Sequence, residues 1–221
     1  MMQTDSQVRR YRSINLLSAG GRAMLGCGNE SSSRRLAVQL TLDPGVRSLR
    51  FIASLPLAGE QIEVGMLVAE YDDGLVAYDI VDERAHRDID TEGMLLIALD
   101  QHGITLRAVD TNTIGAHPLA DHCERIWEHR ALQVNHRLGG RIERALESKR
   151  LTVRELGDAV GERNIVPIVC ALICRRVLSA DLSTFLDLDA WVVRRSDRAV
   201  GSSLMSRKTA GPMKLKPGGA T

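Results

Sequence analysis

The feature that most constrains the fold of this chain is a pair of β-rich runs separated by a short turn sequence. The runs are Ile62 to Tyr71 and Leu75 to Val81, and Asp72-Asp73-Gly74 lies between them. Aspartate followed by glycine favours a tight turn, because both residues tolerate the positive φ angles that hairpin turns require. The sequence therefore predicts a β-hairpin in the first half of the chain.

Further helix and strand patterns flank this hairpin. Serines precede the first helix and can cap it, and Asp43-Pro44-Gly45 ends it. Gly103 follows the second helix as its C-terminal cap. The predicted helices are Ser31 to Leu42, Thr91 to His102 and Pro118 to Arg130, and the predicted strands besides the hairpin are Val46 to Leu55 and Ile104 to Val109. This order predicts a mixed α/β layer fold.

From about Asn135 the pattern changes to short, closely spaced helices. They are predicted over Arg141 to Lys149, from Thr152 onward, and over Ile165 to Val177, with Asn164 as the cap of the third. Thr152 and Glu155 form a capping-box sequence, in which each side chain satisfies the other's backbone N–H. Apolar residues between Leu182 and Val193 predict a short hairpin. Three helices followed by a small sheet is the order of a winged-helix domain.

Charge is distributed very unevenly along the 221 residues, although the net charge is only +1. Residues 1–50 contain eight arginines against three acidic residues, and residues 194–221 contain seven basic residues against Asp197. The segment between them is therefore acidic. Basic ends can bind DNA phosphates by displacing counterions, or they can simply keep an acidic body in solution. Both interpretations remain open.

The apolar segments and cysteines bear on location. No apolar run approaches the length that a membrane span needs, and the N-terminus lacks the apolar segment of a secretory signal. We therefore expect a cytoplasmic protein with reduced thiols and no membrane contact. Cys170 and Cys174 lie one helical turn apart in an apolar segment, which predicts core packing.

Taken together, these parts resemble a known family. Residues 30–130 resemble the catalytic domain of TnsA-type endonucleases, the subunit of heteromeric transposases that nicks transposon ends, and residues 136–194 resemble the winged-helix domain that can follow it. The matching features are Glu30-Ser31, Leu42-Asp43-Pro44 with Val46, Leu55-Pro56, Glu70-Tyr71-Asp72-Asp73-Gly74, Thr113-Ile114 and Pro118. The resemblance covers about two thirds of the chain, and the shared order of the parts carries it.

The resemblance implies a restriction-endonuclease-like mixed core followed by a small winged-helix domain. The corresponding division is a flexible basic N-terminus (1–29), a nuclease-fold domain (30–133), a winged-helix-like domain (134–195) and a disordered basic tail (196–221).

In this family Mg²⁺ is held by one acid from the first helix and a second from the hairpin's first strand, with an E-x-K motif on the second strand. Here Arg34 and Arg35 stand where the first acid is expected, and only Glu63 lies near the second position. Asp79-Ile80-Val81 aligns best with the third motif and lacks its lysine, whereas Asp82-Glu83-Arg84 is a shifted alternative.

We therefore expect a DNA-binding accessory protein of a mobile or plasmid element that is catalytically inactive. One alternative is an active Mg²⁺-dependent endonuclease with a displaced site, whose catalytic residues are Glu63, Asp79, Asp82 and Arg84 and whose metal ligands are Glu63 and Asp79. Another is a protein adaptor with no nucleic-acid role.

The expected DNA contacts are arginines near helix ends and in the C-terminal region. They are Arg34, Arg35, Arg154, Arg175, Arg176, Arg194 and Arg195. The helix that begins at Ile165 has no polar side chain as far as Cys174, although a DNA-reading helix needs polar groups on its exposed face. We therefore expect this helix to be buried or to pack on a partner, and the resemblance implies a transposase or ATPase subunit.

Overall fold

The computed structural model describes residues 32–195. The predictions for the basic N-terminus (1–29), for Glu30-Ser31 and for the basic tail (196–221) lie outside the described residues.

The described chain forms seven α-helices and two β-sheets. The helices are α1 (Ser32–Leu42), α2 (Ile89–Gln101), α3 (Thr111–Ile114), α4 (Leu119–Glu128), α5 (His136–Ala145), α6 (Val153–Val160) and α7 (Ile165–Cys174), with a 3₁₀ turn at His129–Ala131. The strands are β1 (Ser48–Leu57), β2 (Glu60–Tyr71), β3 (Gly74–Ile80), β4 (Ile104–Val109), β5 (Leu151–Thr152), β6 (Leu178–Ala180) and β7 (Trp191–Arg194).

The larger sheet contains four strands in the order β1-β2-β3-β4. The β1–β2 and β2–β3 pairs are antiparallel, whereas the β3–β4 pair is parallel. Tyr71 pairs with Gly74, so Asp72 and Asp73 form a two-residue loop and the predicted hairpin is confirmed. The φ angle of Gly74 is +141°, a value that glycine adopts without the steric cost a side chain adds.

Helices cover both faces of this sheet. Leu36, Ala37 and Leu40 of α1 pack on one face in a cluster that also contains Tyr78. Leu95, Ala98 and Leu99 of α2 pack on the other. These clusters form a helix–sheet–helix arrangement, and the predicted mixed α/β class is confirmed.

Helix α1 also contacts the helical part of the chain. Val38 and Leu42 belong to the largest hydrophobic cluster, together with Trp127 of α4 and most of α7. The same helix therefore packs on the sheet with one side and on the C-terminal helices with another. This packing crosses residues 133–134, where the sequence places a domain boundary; that division stays a prediction.

The C-terminal part consists of α5, α6 and α7 and a small antiparallel sheet in the order β5-β7-β6. The predicted capping box at the start of α6 is confirmed, because the Glu155 N–H donates to Thr152 Oγ1 and the Thr152 N–H donates to Glu155 Oε2. Helix α7 has seven buried residues out of ten, so its predicted burial is confirmed. No helix between residues 32 and 195 is long and apolar enough to cross a bilayer.

Some local predictions were wrong. Asn164 makes no side-chain capping bond to α7, and its own N–H donates to Glu162 Oε1 instead. Helix α5 begins at His136, well before the predicted start at Arg141, because Asn135 caps it through the Arg137 N–H. The first strand of the small hairpin is Leu178–Ala180, before the predicted Leu182.

Candidate functional site

Asp79 is the candidate catalytic residue that lies deepest in the fold. It is in β3, pairs in register with Ala108 of the parallel strand β4, and retains only 4% exposure of its side chain. Ala77, two residues earlier, faces α2, and side chains alternate along a strand, so Asp79 points to the same face. The carboxylate therefore lies between the sheet and the start of α2.

Two arginines form ion pairs with this carboxylate. Asp79 Oδ2 accepts a hydrogen bond from Arg84 Nη1 at 2.6 Å and another from Arg87 Nη1 at 3.4 Å. Both guanidinium groups also bond to Glu92 Oε2, at 3.2 Å and 3.4 Å. These four residues are called the Asp79 cluster below. The two negative and two positive formal charges of the cluster cancel, and each carboxylate contacts both guanidinium groups.

Local structure explains how the cluster forms. After β3 the chain turns sharply, because the N–H groups of Glu83 and Arg84 both donate to the Ile80 carbonyl. Asp88 then caps α2 by accepting from the Thr91 N–H at 2.7 Å, and these hydrogen bonds hold the pKa of Asp88 below its usual value. This cap fixes the first turn of α2, which places Glu92 beside the arginines.

The other two predicted catalytic residues have different surroundings. Asp82 Oδ2 accepts from the N–H and hydroxyl groups of Thr111, at 2.9 Å and 3.0 Å, and so holds the start of α3. Glu63 is exposed on β2, where it pairs in register with Ser54 of β1. The structure therefore joins Asp79 to Arg84 as part of one cluster, whereas Asp82 and Glu63 make their contacts elsewhere.

The Asp79 cluster does not fit a Mg²⁺ ion. A hard divalent cation needs several oxygen ligands directed at one point, and the charge of nearby guanidinium groups opposes its entry. Here Oδ2 of Asp79 already accepts from two guanidinium groups. Among residues 32–195 no group of three or more histidine, cysteine, aspartate or glutamate side chains is placed to hold a metal.

Four of the predicted DNA-binding arginines lie at or near the surface. Arg34 pairs with Glu124 at 2.6 Å and is partly exposed. Arg154 pairs with Asp189 at 3.3 Å, and Arg194 pairs with Glu143 at 3.8 Å. Arg35 is exposed in the first turns of α1. Arg35, Arg154 and Arg194 are therefore accessible to a phosphate, whereas Arg34 is 27% exposed.

The other three donate to backbone carbonyls of the protein itself. Arg175 donates to the Leu132 carbonyl, and Arg176 donates to the Val46 carbonyl. Arg195 Nη2 donates to the carbonyls of Asp43, Pro44 and Val46, at 3.2, 3.0 and 2.9 Å. Burial lowers the pKa of Arg176, and burial together with the nearby Arg176 charge lowers the pKa of Arg195 to about 10. Arg176 and Arg195 thus hold the 43–46 turn, which follows α1.

Sequence reasoning missed Arg87 and Glu92. The available signal was local: an aspartate at the end of an apolar strand is followed by two arginines in close succession and by a helix start with a second acid. It also missed the inward use of Arg176 and Arg195. The sequence has no local signal for that use, because the 43–46 turn lies in the first quarter of the chain and both arginines lie in the last part.

No protein-family model matches this chain, and no curated protein matches it.

Proposed function

We propose that this protein is a DNA-binding accessory protein of a mobile or plasmid element that has a nuclease-type fold and no nuclease activity. The observation that carries the proposal is the state of Asp79: its buried carboxylate is held by Arg84 and Arg87. In the TnsA-type endonucleases that the sequence resembles, this strand supplies part of a metal site. Here the acid on the same strand is held in an ion-pair cluster with two arginines that follow the strand and with Glu92 of α2.

The order of the elements supports the nuclease-type fold. A helix, an antiparallel three-stranded meander, a helix and a parallel fourth strand follow each other in residues 32–109, with the sheet order β1-β2-β3-β4. Three helices with a three-stranded sheet follow, as in a winged-helix domain. The restriction-endonuclease-like and winged-helix assignments are part of the proposal. They support DNA binding by analogy alone, because similar folds serve many functions.

The chemistry of the cluster supports the loss of catalysis. Phosphodiester hydrolysis by this type of fold needs a metal to bind the scissile phosphate and a lysine to orient water. Strand β3 contains no lysine, and arginine is a poor proton carrier at neutral pH. Removing the arginines from Asp79 to admit a metal would also leave two cations beside the metal.

The surface arginines supply the DNA-binding part of the proposal. Arg35 is exposed, and the partners of Arg154 and Arg194 are themselves exposed carboxylates. Exposed ion pairs contribute little stability, so a phosphate can replace the carboxylate at small cost. We therefore assign duplex contact to Arg34, Arg35, Arg154 and Arg194, and a role in the fold to Arg175, Arg176 and Arg195.

A protein partner, such as a transposase or ATPase subunit, is also part of the proposal. Helix α7 does not provide the surface for such a partner, because its apolar side chains lie in the largest hydrophobic cluster of the described chain. Any such contact would involve other surfaces.

The test combines duplex binding and cleavage. Purified full-length protein is incubated with supercoiled plasmid and Mg²⁺ or Mn²⁺, beside the Asp79→Ala and Asp82→Ala variants. We expect retarded plasmid with no nicking. Nicking by the wild type that both substitutions abolish would instead identify an active endonuclease with a displaced site. Neither retardation nor nicking at low salt would favour an adaptor without a nucleic-acid role.

A further inference from the structure

The outer face of the small C-terminal sheet presents an exposed tryptophan. Trp191 begins β7, the central strand, and is 49% exposed, whereas the next residue, Val192, is fully buried. Because side chains alternate across a strand, Trp191 and Val193 share the outward face, and Val193 is 41% exposed. Thr152 pairs opposite Trp191 on the neighbouring strand β5. The ring therefore lies on an open surface.

A cationic side chain lies over this ring. The guanidinium carbon of Arg150 lies 4.7 Å from the centre of the Trp191 ring, and Lys149, its neighbour in the sequence, is exposed. Within residues 32–195 Arg150 forms no ion pair, so its charge is not neutralised by a carboxylate in direct contact. The second tryptophan, Trp127, is only 6% exposed and belongs to the core.

We propose that this face binds an unpaired nucleotide of single-stranded or locally opened DNA. Trp191 stacks on the base, while Arg150 and Lys149 contact the flanking phosphates. This inference rests on the proposed DNA-binding function and extends it from duplex to single-stranded DNA. Stacking on an aromatic ring beside cationic side chains is the common mode for single-strand binding, and it tolerates any sequence because every base has a π-face.

The cation over the ring favours nucleic acid over an apolar protein surface. The guanidinium carbon of Arg150 lies 4.7 Å from the centre of the Trp191 ring, and both side chains are exposed. A polyanion with flat bases matches both groups, whereas burial against an apolar protein surface would desolvate the Arg150 charge without compensation.

The experiment uses full-length protein and oligothymidylate, whose bases stack weakly on one another. Tryptophan emission is followed during the titration for the wild type and for Trp191→Phe. The affinity of a fluorescently labelled oligothymidylate is measured in parallel for Trp191→Ala and Arg150→Ala. Arg137→Ala is the matched control, since it removes one exposed positive charge from the same part of the chain and only the backbone N–H of Arg137 takes part in the cap of α5.

We expect oligothymidylate to quench the wild-type emission, and the quenching to disappear in Trp191→Phe. Trp191→Ala should weaken binding about tenfold, which corresponds to the loss of one stacked base. Arg150→Ala should weaken binding more than Arg137→Ala does. Unchanged emission, or equal losses in Arg150→Ala and Arg137→Ala, would overturn this inference. If duplex plasmid is still retarded in that case, the proposed function stands; if neither DNA binds, both fail.

Discussion

Replacing Asp79 by asparagine tests whether the Asp79 cluster is structural. Asparagine keeps the shape of the side chain and removes its charge, which leaves Arg84 and Arg87 with Glu92 alone. Breaking a fully buried ion pair costs about 3–5 kcal/mol, and breaking an exposed pair costs about 0.2–1 kcal/mol. Here Asp79 is 4% exposed but Arg84 is 31% exposed, so the arginine can regain water. We therefore expect the free energy of unfolding to fall by about 2 kcal/mol, between these two limits.

A double-mutant cycle isolates the pair itself. The cycle compares Asp79→Asn, Arg84→Gln and the double variant by urea unfolding, and we expect a coupling energy of about 1–1.5 kcal/mol. The matched control is the Arg154–Asp189 pair, whose side chains are 57% and 79% exposed and whose coupling should stay below about 0.5 kcal/mol.

Two results would refute the structural role of Asp79. One is a coupling between Asp79 and Arg84 no larger than that of the exposed control pair. The other is a gain in stability in Asp79→Asn, because a carboxylate that weakens the fold is the expected state of a residue kept for catalysis or metal binding. The second result would favour the endonuclease with a displaced site.

Three further predictions concern the stability of the fold. Thr152→Ala removes the hydroxyl that accepts from the Glu155 N–H and should cost about 1 kcal/mol in thermal unfolding, whereas Thr152→Ser should retain most of it. Arg195→Ala removes the Nη2 group that donates to three carbonyls of the 43–46 turn and should cost about 2–3 kcal/mol in urea unfolding; a loss below about 0.5 kcal/mol would contradict a structural role for Arg195. Burial raises the pKa of Cys123 and of Cys174 from 9.0 to about 12, so these thiols ionise first in the unfolded chain. The stability that depends on these protonated thiols is fully present below pH 9 and is lost as the pH rises toward 12. The free energy of unfolding, measured above pH 9, should therefore decrease less steeply with pH when both cysteines are replaced by alanine.

The accuracy of the sequence predictions followed how local each signal was. The hairpin depends on two apolar runs and an Asp-Asp-Gly turn in one continuous segment, and its strands formed close to the predicted bounds. The start of α5 was predicted too late. Gly139 and Gly140 lower helix propensity, but Ile142 is fully buried in the core and the Asn135 cap starts the helix before them. Strand β6 is short and, among residues 32–195, pairs with β7 alone, so its position depends on a partner that lies beyond a long intervening loop.

The candidate site was predictable only in part for the same reason. Asp79 could be chosen because Asp79-Ile80-Val81 aligns best with the third motif of the family that the sequence resembles, and Arg84 because it ends the shifted alternative Asp82-Glu83-Arg84. Their direct contact, and the participation of Arg87 and Glu92, depends on how the start of α2 packs over the end of β3. A sequence pattern identifies which charges are near one another along the chain, but the fold decides which of them neutralise each other.

The same distinction bears on the proposed DNA binding. The arginines have different roles in the fold. Arg35 and Arg154 face solvent, whereas Arg176 and Arg195 donate to carbonyls of the 43–46 turn. A guanidinium that saturates buried carbonyls cannot displace counterions from a phosphate without opening the fold. Under the proposed function, the charge of residues 32–195 that is available to DNA is therefore smaller than their arginine content suggests, and it lies on the surface of α1 and on the C-terminal part that carries Arg150 and Trp191.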